Sequence, residues 1–272
     1  MSAQRRIWLT GASSGIGQAM AEQLAAEGHL LAISARRAGP LQELAERYPG
    51  QILVLPVDMT DAAAVQQTGQ RIAEAWGALD WAILNAGTCE YVDVAEFESA
   101  MFQRVMQANV QGTVQCIEAA LPLLRKGIEP RLVGVGSSVT FCPLPRAAAY
   151  GASKAAIRYL FQSLELDLAQ WHIGVTLVSP GFVATPLTAA NDFPMPMQVN
   201  SDEAASIIIR GLHKGKHEIN FPGPFISVLK LLGSLPNRLR FALTKGMARP
   251  ASSPPSQSGS PADKSSSQGD PR

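Results

Sequence analysis

The chain has 272 residues, of which 46% are hydrophobic and 17% charged, a composition that predicts a sizeable buried core and excludes a wholly disordered protein. The formal net charge of +1 offers no electrostatic reason for nucleic acid or an anionic membrane to be the main partner. Three widely spaced cysteines and four scattered histidines predict reduced thiols and no metal site. With no secretory signal and no apolar run of the ~20 residues that span a bilayer, the chain is predicted to be cytoplasmic.

Short apolar strands and helices alternate along most of the chain. The predicted strands cover 6–11, 30–34, 51–58, 79–87, 131–138, 173–181 and 217–221. The predicted helices cover 15–27, 39–48, 99–126 and 150–171; another, capped by Thr60 or Asp61, runs to about Trp76, and a last one begins near Ser201. This alternation is typical of a parallel sheet that is covered by helices on both faces.

Three later segments depart from this alternation. The loop 181–200 is long and rich in Pro and Met, which is typical of a lid or binding loop. Segment 224–246 is apolar with a basic edge and predicts two helices packed on the core or on another subunit, with peripheral membrane contact as the alternative. From about Pro250 the chain is rich in Ser and Pro and is predicted to be disordered.

A glycine-rich turn, "TGASSGIG" at 10–17, lies between the first predicted strand and the first predicted helix. Gly11 allows a tight turn, Gly15 lets the backbone approach a pyrophosphate, and Gly17 lets the helix pack closely on the strand. The helix N-terminus then offers unpaired N–H groups and a positive dipole end to phosphate. In a strand–turn–helix setting, this pattern predicts a dinucleotide site.

The end of the second strand distinguishes the two nicotinamide dinucleotides. An NAD site places a carboxylate there for the ribose 2′-hydroxyl, whereas an arginine accommodates the 2′-phosphate of NADP. The sequence reads "ISARRAG", with Arg36 and Arg37 and no acid, so NADP(H) is predicted in preference to NAD(H). Asp58, at the end of the third strand, is predicted to contact the adenine amino group or else to cap the next helix.

These motifs, with others further along the chain, resemble the short-chain dehydrogenase/reductase family in its single-domain branch, which has a TGxxxGxG turn and a YxxxK pair. The matching pieces occur in family order over roughly residues 4–222. They are "TGASSGIG", "NAG" (85–87), "ANVQGT" (108–113), "GSS" (136–138), "YGASK" (150–154) and "SPGFVATP" (179–186). The resemblance implies a single Rossmann-type α/β domain of three layers, with a doubly wound, mostly parallel sheet of seven strands.

The resemblance also implies a division of the chain and an activity. Residues 1–222 are expected to form an NADP-binding catalytic domain with a substrate lid at 182–200, followed by an apolar helical extension at 223–249 and a disordered tail at 250–272. The implied reaction is hydride transfer between NADP(H) and a carbonyl or alcohol carbon, in a homodimer or homotetramer. By resemblance, the cofactor-binding residues are Gly11, Ser13, Ser14, Gly15, Ile16, Gly17, Arg36, Arg37, Asp58, Asn85, Ala86, Gly87, Tyr150, Lys154, Pro180, Gly181, Val183 and Thr185.

The implied catalytic residues are Asn109, a serine, Tyr150 and Lys154. Reduction of a carbonyl puts negative charge on its oxygen, and Tyr150 is expected to supply the proton. Lys154 lies four residues from Tyr150 and so shares its helix face. A free phenol has a pKa near 10, and the positive charge of Lys154 is expected to favour the phenolate. Asn109 resembles the residue that holds a water for the proton relay.

The serine can be either of two neighbours. Ser137 lies thirteen positions before Tyr150, as in most family members, whereas Ser138 matches relatives that use the second serine of such a pair. We favour Ser137 and expect the other hydroxyl to bond the backbone at the strand end. The predicted substrate-binding residues are Ser137, Ser138, Phe141, Phe182, Leu187 and Met195. The apolar members of this set favour a hydrophobic aldehyde, ketone or alcohol as the small-molecule substrate.

Three other functions fit parts of the sequence. A non-catalytic protein that senses NADP(H) would not need the Asn–Ser–Tyr–Lys set. An epimerase or dehydratase of the longer related branch normally has a TGxxGxxG turn and a larger C-terminal domain, and this chain has neither. A membrane-associated lipid-carbonyl reductase would use segment 224–246 as a docking element.

Overall fold

The computed structural model describes residues 4–189, 191 and 193–247. The tail that is predicted to be disordered, 250–272, lies outside the described residues. The described residues form nine strands, which are β1 (Arg6–Thr10), β2 (Leu30–Ser34), β3 (Ile52–Val54), β4 (Trp81–Leu84), β5 (Arg131–Val135), β6 (Gly174–Pro180), β7 (Val183–Ala184), β8 (Val199–Asn200) and β9 (Glu218–Phe221). Seven of them form one parallel sheet in the order β3-β2-β1-β4-β5-β6-β9, and the two short strands β7 and β8 pair separately.

Helices connect these strands and cover both faces of the sheet. They are α1 (Gly15–Ala26), α2 (Gly39–Arg47), α3 (Ala62–Trp76), α4 (Ser99–Met106), α5 (Gly112–Leu124), α6 (Ala148–Leu168), α7 (Ser201–His213), α8 (Gly223–Ser234) and α9 (Asn237–Thr244). Within the described residues, no helix is long and apolar enough to cross a membrane.

Two separate apolar cores lie on the two sides of the sheet, because successive strand side chains point to opposite faces. In β1, Ile7 and Leu9 pack in the core beneath α1, α2 and α7, whereas Trp8 packs in the core beneath α3, α5 and α6. The three layers and the parallel seven-stranded sheet confirm the Rossmann-type fold. The chain order reverses at β1, which has β2 on one side and β4 on the other, and a crevice opens at the carboxyl ends of these strands.

The observed elements differ from the predicted ones mainly at the carboxyl ends of the strands. β3, β4 and β5 end several residues earlier than predicted, since the chain leaves the hydrogen-bonded ladder there and turns along the crevice. The predicted helix 99–126 contains a π-helical stretch, Gln107–Gln111, between α4 and α5. Asp61 caps α3 by accepting the Ala64 N–H at 3.0 Å, so Thr60 is not the cap.

A buried carboxylate joins three segments at the opposite, amino-terminal edge of the sheet. Asp80 accepts the Arg6 backbone N–H at 2.8 Å, the Arg6 guanidinium at 2.8 and 3.1 Å, and the Ile128 N–H at 2.7 Å. Burial alone raises the pKa of Asp80, but the hydrogen bonds from Arg6 and Ile128 outweigh it and the net pKa is lowered. The ionised carboxylate therefore stabilises the fold.

We expect Asp80→Ala to lower the free energy of unfolding at neutral pH by about 3 kcal/mol, because Arg6 and two N–H groups lose a common acceptor. A group with a depressed pKa contributes stability that is present above its unfolded-state pKa, about 3.9, and is lost as pH falls through the folded-state value. Urea unfolding at neutral and acidic pH measures both effects. Exposed Glu74→Ala is the control; an equal loss in both variants at neutral pH would contradict this assignment.

Candidate active site

A cleft of about 950 Å³ lies at the carboxyl ends of the strands, at the crevice beside β1. It brings together most of the residues that the sequence predicts to bind cofactor. Those that line it are Gly11, Ser13, Ser14, Gly15, Ile16, Arg36, Arg37, Asp58, Asn85, Ala86, Gly87, Tyr150, Lys154, Pro180, Gly181, Val183 and Thr185. The remaining one, Gly17, lies behind the turn, where a Cβ would overlap the Gly11 carbonyl oxygen.

The glycine-rich turn fits an anionic group in two ways. Gly11 and Gly15 adopt positive φ angles of 69° and 56°, and a Cβ on Gly15 would lie 2.9 Å from the Thr185 methyl group. Ser14 precedes α1 but its side chain makes no capping hydrogen bond, and Ser14, Gly15 and Ile16 all line the cleft. The first turn of α1 therefore offers its N–H groups and dipole to a ligand such as a pyrophosphate.

Thr10, which the sequence interpretation missed, holds the two sides of the crevice together. Its hydroxyl accepts the N–H groups of Asn85 and Ala86 at 3.0 and 3.1 Å. In return, the Asn85 side-chain amide donates to the carbonyl groups of Thr10 and Gly11, both at 3.2 Å. The only sequence signal for this role is a threonine at the end of a strand, which by itself does not identify its partner.

Two arginines flank the cleft at the end of β2. Both Arg36 and Arg37 are exposed, and Arg37 donates to the Ser13 carbonyl at 3.4 Å. Asp58 accepts the backbone N–H and the hydroxyl of Thr60 at 2.9 and 2.8 Å, so it braces its own loop and does not cap α3. These hydrogen bonds, with Arg36 nearby, lower the pKa of Asp58. This end of the cleft thus combines two cations with a fixed carboxylate.

Tyr150 and Lys154 lie in the first two turns of α6, at the other end of the cleft. The Lys154 ammonium donates to the Val135 carbonyl at 2.9 Å and lies 5.8 Å from the Tyr150 ring centroid. Burial raises the pKa of Tyr150 to about 12 and lowers that of Lys154 to about 8. For the protein alone, burial outweighs the other influences on the Tyr150 pKa, and the Lys154 ammonium is directed at the Val135 carbonyl; that Lys154 favours the phenolate stays a prediction.

The two candidate serines occupy different environments. Ser137 lines the cleft and is hydrogen-bonded to Tyr150, an interaction that lowers the tyrosine pKa against the effect of burial. Its hydroxyl also accepts the Val139 N–H at 3.2 Å. Ser138 is buried and does not line the cleft. The geometry therefore places Ser137, and not Ser138, beside the tyrosine.

Asn109 is buried within the π-helical stretch and connects three segments. Its side-chain oxygen accepts the Thr88 N–H at 2.7 Å, and its amide donates to the Thr88 carbonyl and to the Ser153 hydroxyl, both at 2.9 Å. Ser153 donates in turn to the Tyr150 carbonyl at 2.7 Å. Asn109 thus fixes the loop after β4 against the helix that carries Tyr150, and a π-helical stretch at this point is typical of functional sites.

The predicted substrate residues divide into two groups. Ser137 and Leu187 line the cleft, whereas Ser138, Phe141, Phe182 and Met195, all in the described part of the chain, do not. Phe182 belongs to an aromatic row that runs through the lid: its ring centroid lies 5.5 Å from that of Phe225 on α8 and 6.1 Å from that of Phe193. Phe193 in turn contacts Tyr91 edge-on at 5.5 Å. This row connects the lid both to α8 and to the loop after β4.

A group of possible metal ligands lies away from the cleft, where Glu27, His29 and His213 place their ligand atoms within 4.8 Å of one another. Nδ1 of buried His29 accepts the Arg5 N–H at 3.2 Å, so the neutral ring carries its proton on Nε2. A protonated nitrogen cannot bind a metal. The His29 Nε2 lies 3.4 Å from the Glu27 carboxylate, and the same carboxylate lies 2.8 Å from the His213 Nε2. The arrangement favours a hydrogen bond between Glu27 and His213 over a metal site, and the His29 Nε2 makes no hydrogen bond within the described residues.

Comparisons with known proteins identify relatives of this chain. The family model described as short chain dehydrogenase matches residues 5–193. An uncharacterised oxidoreductase of Myxococcus xanthus is 34% identical over 240 residues, which cover 86% of this chain and 94% of that protein.

Solved structures share the fold over most of the chain. The Pseudomonas aeruginosa RhlG/NADP active-site complex is 28% identical, with a TM-score of 0.75 over 82% of this chain and 97% of that one. An alcohol dehydrogenase of Thermococcus sibiricus, complexed with 5-hydroxy-NADP, is 24% identical, with a TM-score of 0.72 over 80% of this chain and 96% of that one. With a family model spanning most of its length and a Myxococcus relative similar almost throughout, the chain belongs to the short-chain dehydrogenase family.

Proposed function

We propose that this protein is an NADP(H)-dependent oxidoreductase that interconverts a carbonyl compound and its alcohol, with Tyr150 as the proton donor or acceptor. One observation carries the proposal: Tyr150, Lys154 and Ser137 meet at one end of a cleft whose other end has two arginines and a glycine-rich turn. A dinucleotide has a phosphate-rich end and a reactive ring, and this cleft offers suitable groups to each of them.

The cofactor assignment rests on Arg36, Arg37 and the first turn of α1. The RhlG structure, which contains NADP, supports this assignment by similarity. We expect the arginines to hold the 2′-phosphate, the N–H groups of α1 to hold the pyrophosphate, and Asp58 to contact the adenine amino group. When bound, NADP(H) supplies or accepts the hydride.

Tyr150 is well suited to donate a proton in the reducing direction. With its pKa raised to about 12, the phenol is fully protonated at neutral pH, and the oxygen of a reduced carbonyl is a stronger base than the phenolate. Lys154 is still mostly protonated at neutral pH, so its charge can stabilise the phenolate that remains. The Ser137 hydroxyl, already bonded to Tyr150, is placed to polarise the same carbonyl oxygen.

Asn109 is proposed to act through position. Both hydrogens and the oxygen of its side-chain amide are used within the protein, on Thr88 and Ser153. We therefore assign to it the alignment of α6 with the loop after β4; the water-holding role that the resemblance implies stays a prediction.

The substrate is proposed to be an apolar aldehyde, ketone or alcohol. Leu187 and Pro186 line the cleft, and Phe182 and Phe193 form an aromatic pair within the lid itself. An apolar wall of this kind favours hydrophobic groups, and the sequence of the loop 182–200 contains no Lys or Arg that could pair with a substrate carboxylate or phosphate. The loop 182–200 is accordingly proposed to be the substrate lid.

We further propose that the protein works as a homodimer or homotetramer in the cytoplasm. Val114 on α5 and Tyr159 and Leu166 on α6 are large apolar side chains left exposed on neighbouring helices, which supports association of copies there. All three cysteines are unpaired, as a reducing compartment requires.

We expect Tyr150→Phe to reduce kcat/KM by about 10²–10⁴-fold, because the proton donor is lost while the ring remains. NADPH oxidation over a panel of apolar aldehydes and ketones measures this effect. Tyr159→Phe, an exposed tyrosine on the same helix, is the control and should retain full activity. Equal activity of Tyr150→Phe and wild type on every substrate would refute the proposed mechanism.

The serine assignment predicts a sharp difference between neighbours. Ser137→Ala should lower kcat by about 10²–10³-fold, the loss typical of removing one donor to a developing oxyanion. Ser138→Ala, which alters a buried hydroxyl outside the cleft, should leave kcat within a factor of a few. If the same NADPH-oxidation assay showed the larger loss of kcat in Ser138→Ala, the role of polarising the carbonyl would belong to Ser138.

The cofactor assignment predicts a change of preference when the arginines are removed. Arg36→Ala/Arg37→Ala should raise KM for NADPH by about tenfold or more, since a charge-assisted hydrogen bond contributes roughly 1.5–3 kcal/mol. KM for NADH should change little, because that dinucleotide lacks the 2′-phosphate. Initial rates with both cofactors test this, and a parallel rise in both KM values would contradict it.

A further inference from the structure

The C-terminal helices α8 and α9 leave an unusual number of large apolar side chains uncovered. On α9 no residue is buried, although the helix contains Leu239, Phe241 and Leu243, which are 48%, 68% and 57% exposed. On α8, Val228 and Leu231 are exposed one helical turn apart, while Ile226 and Leu229 on the opposite side are buried against the domain. We call the exposed set, together with Arg238 and Lys245, the α8–α9 face.

The charged residues in the sequence segment that carries this face have a single sign. From residue 219 to residue 262 the sequence contains no Asp or Glu. The same stretch contains the basic residues Lys230, Arg238, Arg240, Lys245 and Arg249. The whole chain carries a net charge of only +1, so this segment is a local concentration of positive charge.

Two of these cations are available to an external partner. Lys230 lies 3.9 Å from the Glu218 carboxylate, and Arg240 donates to the Asn237 side chain at 2.8 Å. Arg238 and Lys245 are exposed and make no side-chain hydrogen bond or ion pair with any residue in the part of the chain that the structure describes. The face therefore combines uncovered apolar side chains with uncompensated positive charge.

We propose that the α8–α9 face docks the protein on an anionic lipid surface, with the apolar side chains among the acyl chains and the cations at the headgroups. Apolar residues interleaved with Lys and Arg are the pattern of helices that lie in a membrane interface. A second copy is the poorer partner, because a two-fold contact would set this positive face against itself. The proposal stands on this surface alone and does not depend on the proposed reaction.

The docked surface borders the lid and the loop after the serines. In the first turn of α8, the ring centroid of Phe225 lies 5.5 Å from that of Phe182 in the lid. At its last turn, Gly233 packs so closely on Phe141 that a Cβ would overlap the Phe141 carbonyl oxygen. Docking through α8 and α9 thus places the substrate end of the cleft beside the lipid.

Vesicle flotation of the full-length protein tests this proposal, with phosphatidylcholine vesicles prepared with and without phosphatidylglycerol. The wild type should float with the anionic vesicles and be released by high salt. Arg238→Glu/Lys245→Glu should lower partitioning by at least about 25-fold, since each basic side chain near an anionic surface contributes roughly fivefold. The matched control Arg71→Glu/Lys126→Glu alters exposed cations elsewhere and should float like the wild type.

The apolar contribution is tested by a second pair of variants. Phe241→Ser should reduce partitioning about tenfold, the loss expected when one phenyl group no longer enters the acyl region. Ile128→Ser removes a side chain of similar exposure, 70% against 68%, at the opposite end of the sheet and should have no effect. Because α9 buries no residue and the side chains changed in the controls are also exposed, all of these variants should keep the wild-type Tm.

Three results would overturn the proposal. One is equal flotation with neutral and anionic vesicles, or none with either. The second is a change of oligomeric state in the α9 variants, measured by light scattering, with unchanged flotation; it would make the face a contact between copies. The third is tighter binding to a labelled DNA duplex than to anionic vesicles, lost in the same variants, which would assign the face to nucleic acid.

Discussion

The cleft depends on how β1 and β4 end side by side without leaving backbone groups unpaired. At this point the sheet order reverses, and the N–H groups of Asn85 and Ala86, which follow the last residue of β4, lie outside the strand ladder. The Thr10 hydroxyl accepts both, and the Asn85 amide returns two hydrogen bonds to the turn that begins at Gly11. The glycine-rich turn and the segment 85–87 are thereby held as facing walls, and the site exists only between them.

A second group of contacts determines where Tyr150 stands. The π-helical stretch places Asn109 so that its amide bonds Thr88 on one side and Ser153 on the other, and Ser153 bonds the tyrosine's own carbonyl. Lys154 is fixed by Val135 at the end of β5. The Tyr150 phenol is thus positioned by two strand ends and two helices, and burial raises its pKa. These polar links are almost all satisfied inside the protein, which is what a preorganised site requires.

The sequence predicted the parts of this arrangement that local patterns encode. Apolar runs and helix periodicity located all seven strands of the sheet, and the turn at Gly11 and the pair Tyr150 and Lys154 were recognisable from spacing. The role of Thr10 was not, because it depends on a strand that pairs with β1 only in the folded chain. The burial that raises the Tyr150 pKa could not be predicted either, since spacing reveals a neighbouring cation but not how deeply both groups are buried.

The predicted substrate-binding residues also show that the sequence reveals the type of a side chain but not the direction in which it points. Phe182 and Phe141 were identified as apolar lid and loop residues, yet both lie behind the cleft, in contact with α8. Their composition was evident, but their direction depends on the packing of the C-terminal helices. The C-terminal helices therefore help to position the residues around the site, although no sequence motif identifies them.

The orientation of the dinucleotide is the central claim, and a crystal structure of the protein with NADP⁺ tests it most directly. The account predicts the 2′-phosphate at the guanidinium groups of Arg36 and Arg37, the pyrophosphate at the first turn of α1, and the nicotinamide ring beside Tyr150 and Lys154. A dinucleotide bound outside this cleft, or bound with its nicotinamide at the arginines, would contradict the account.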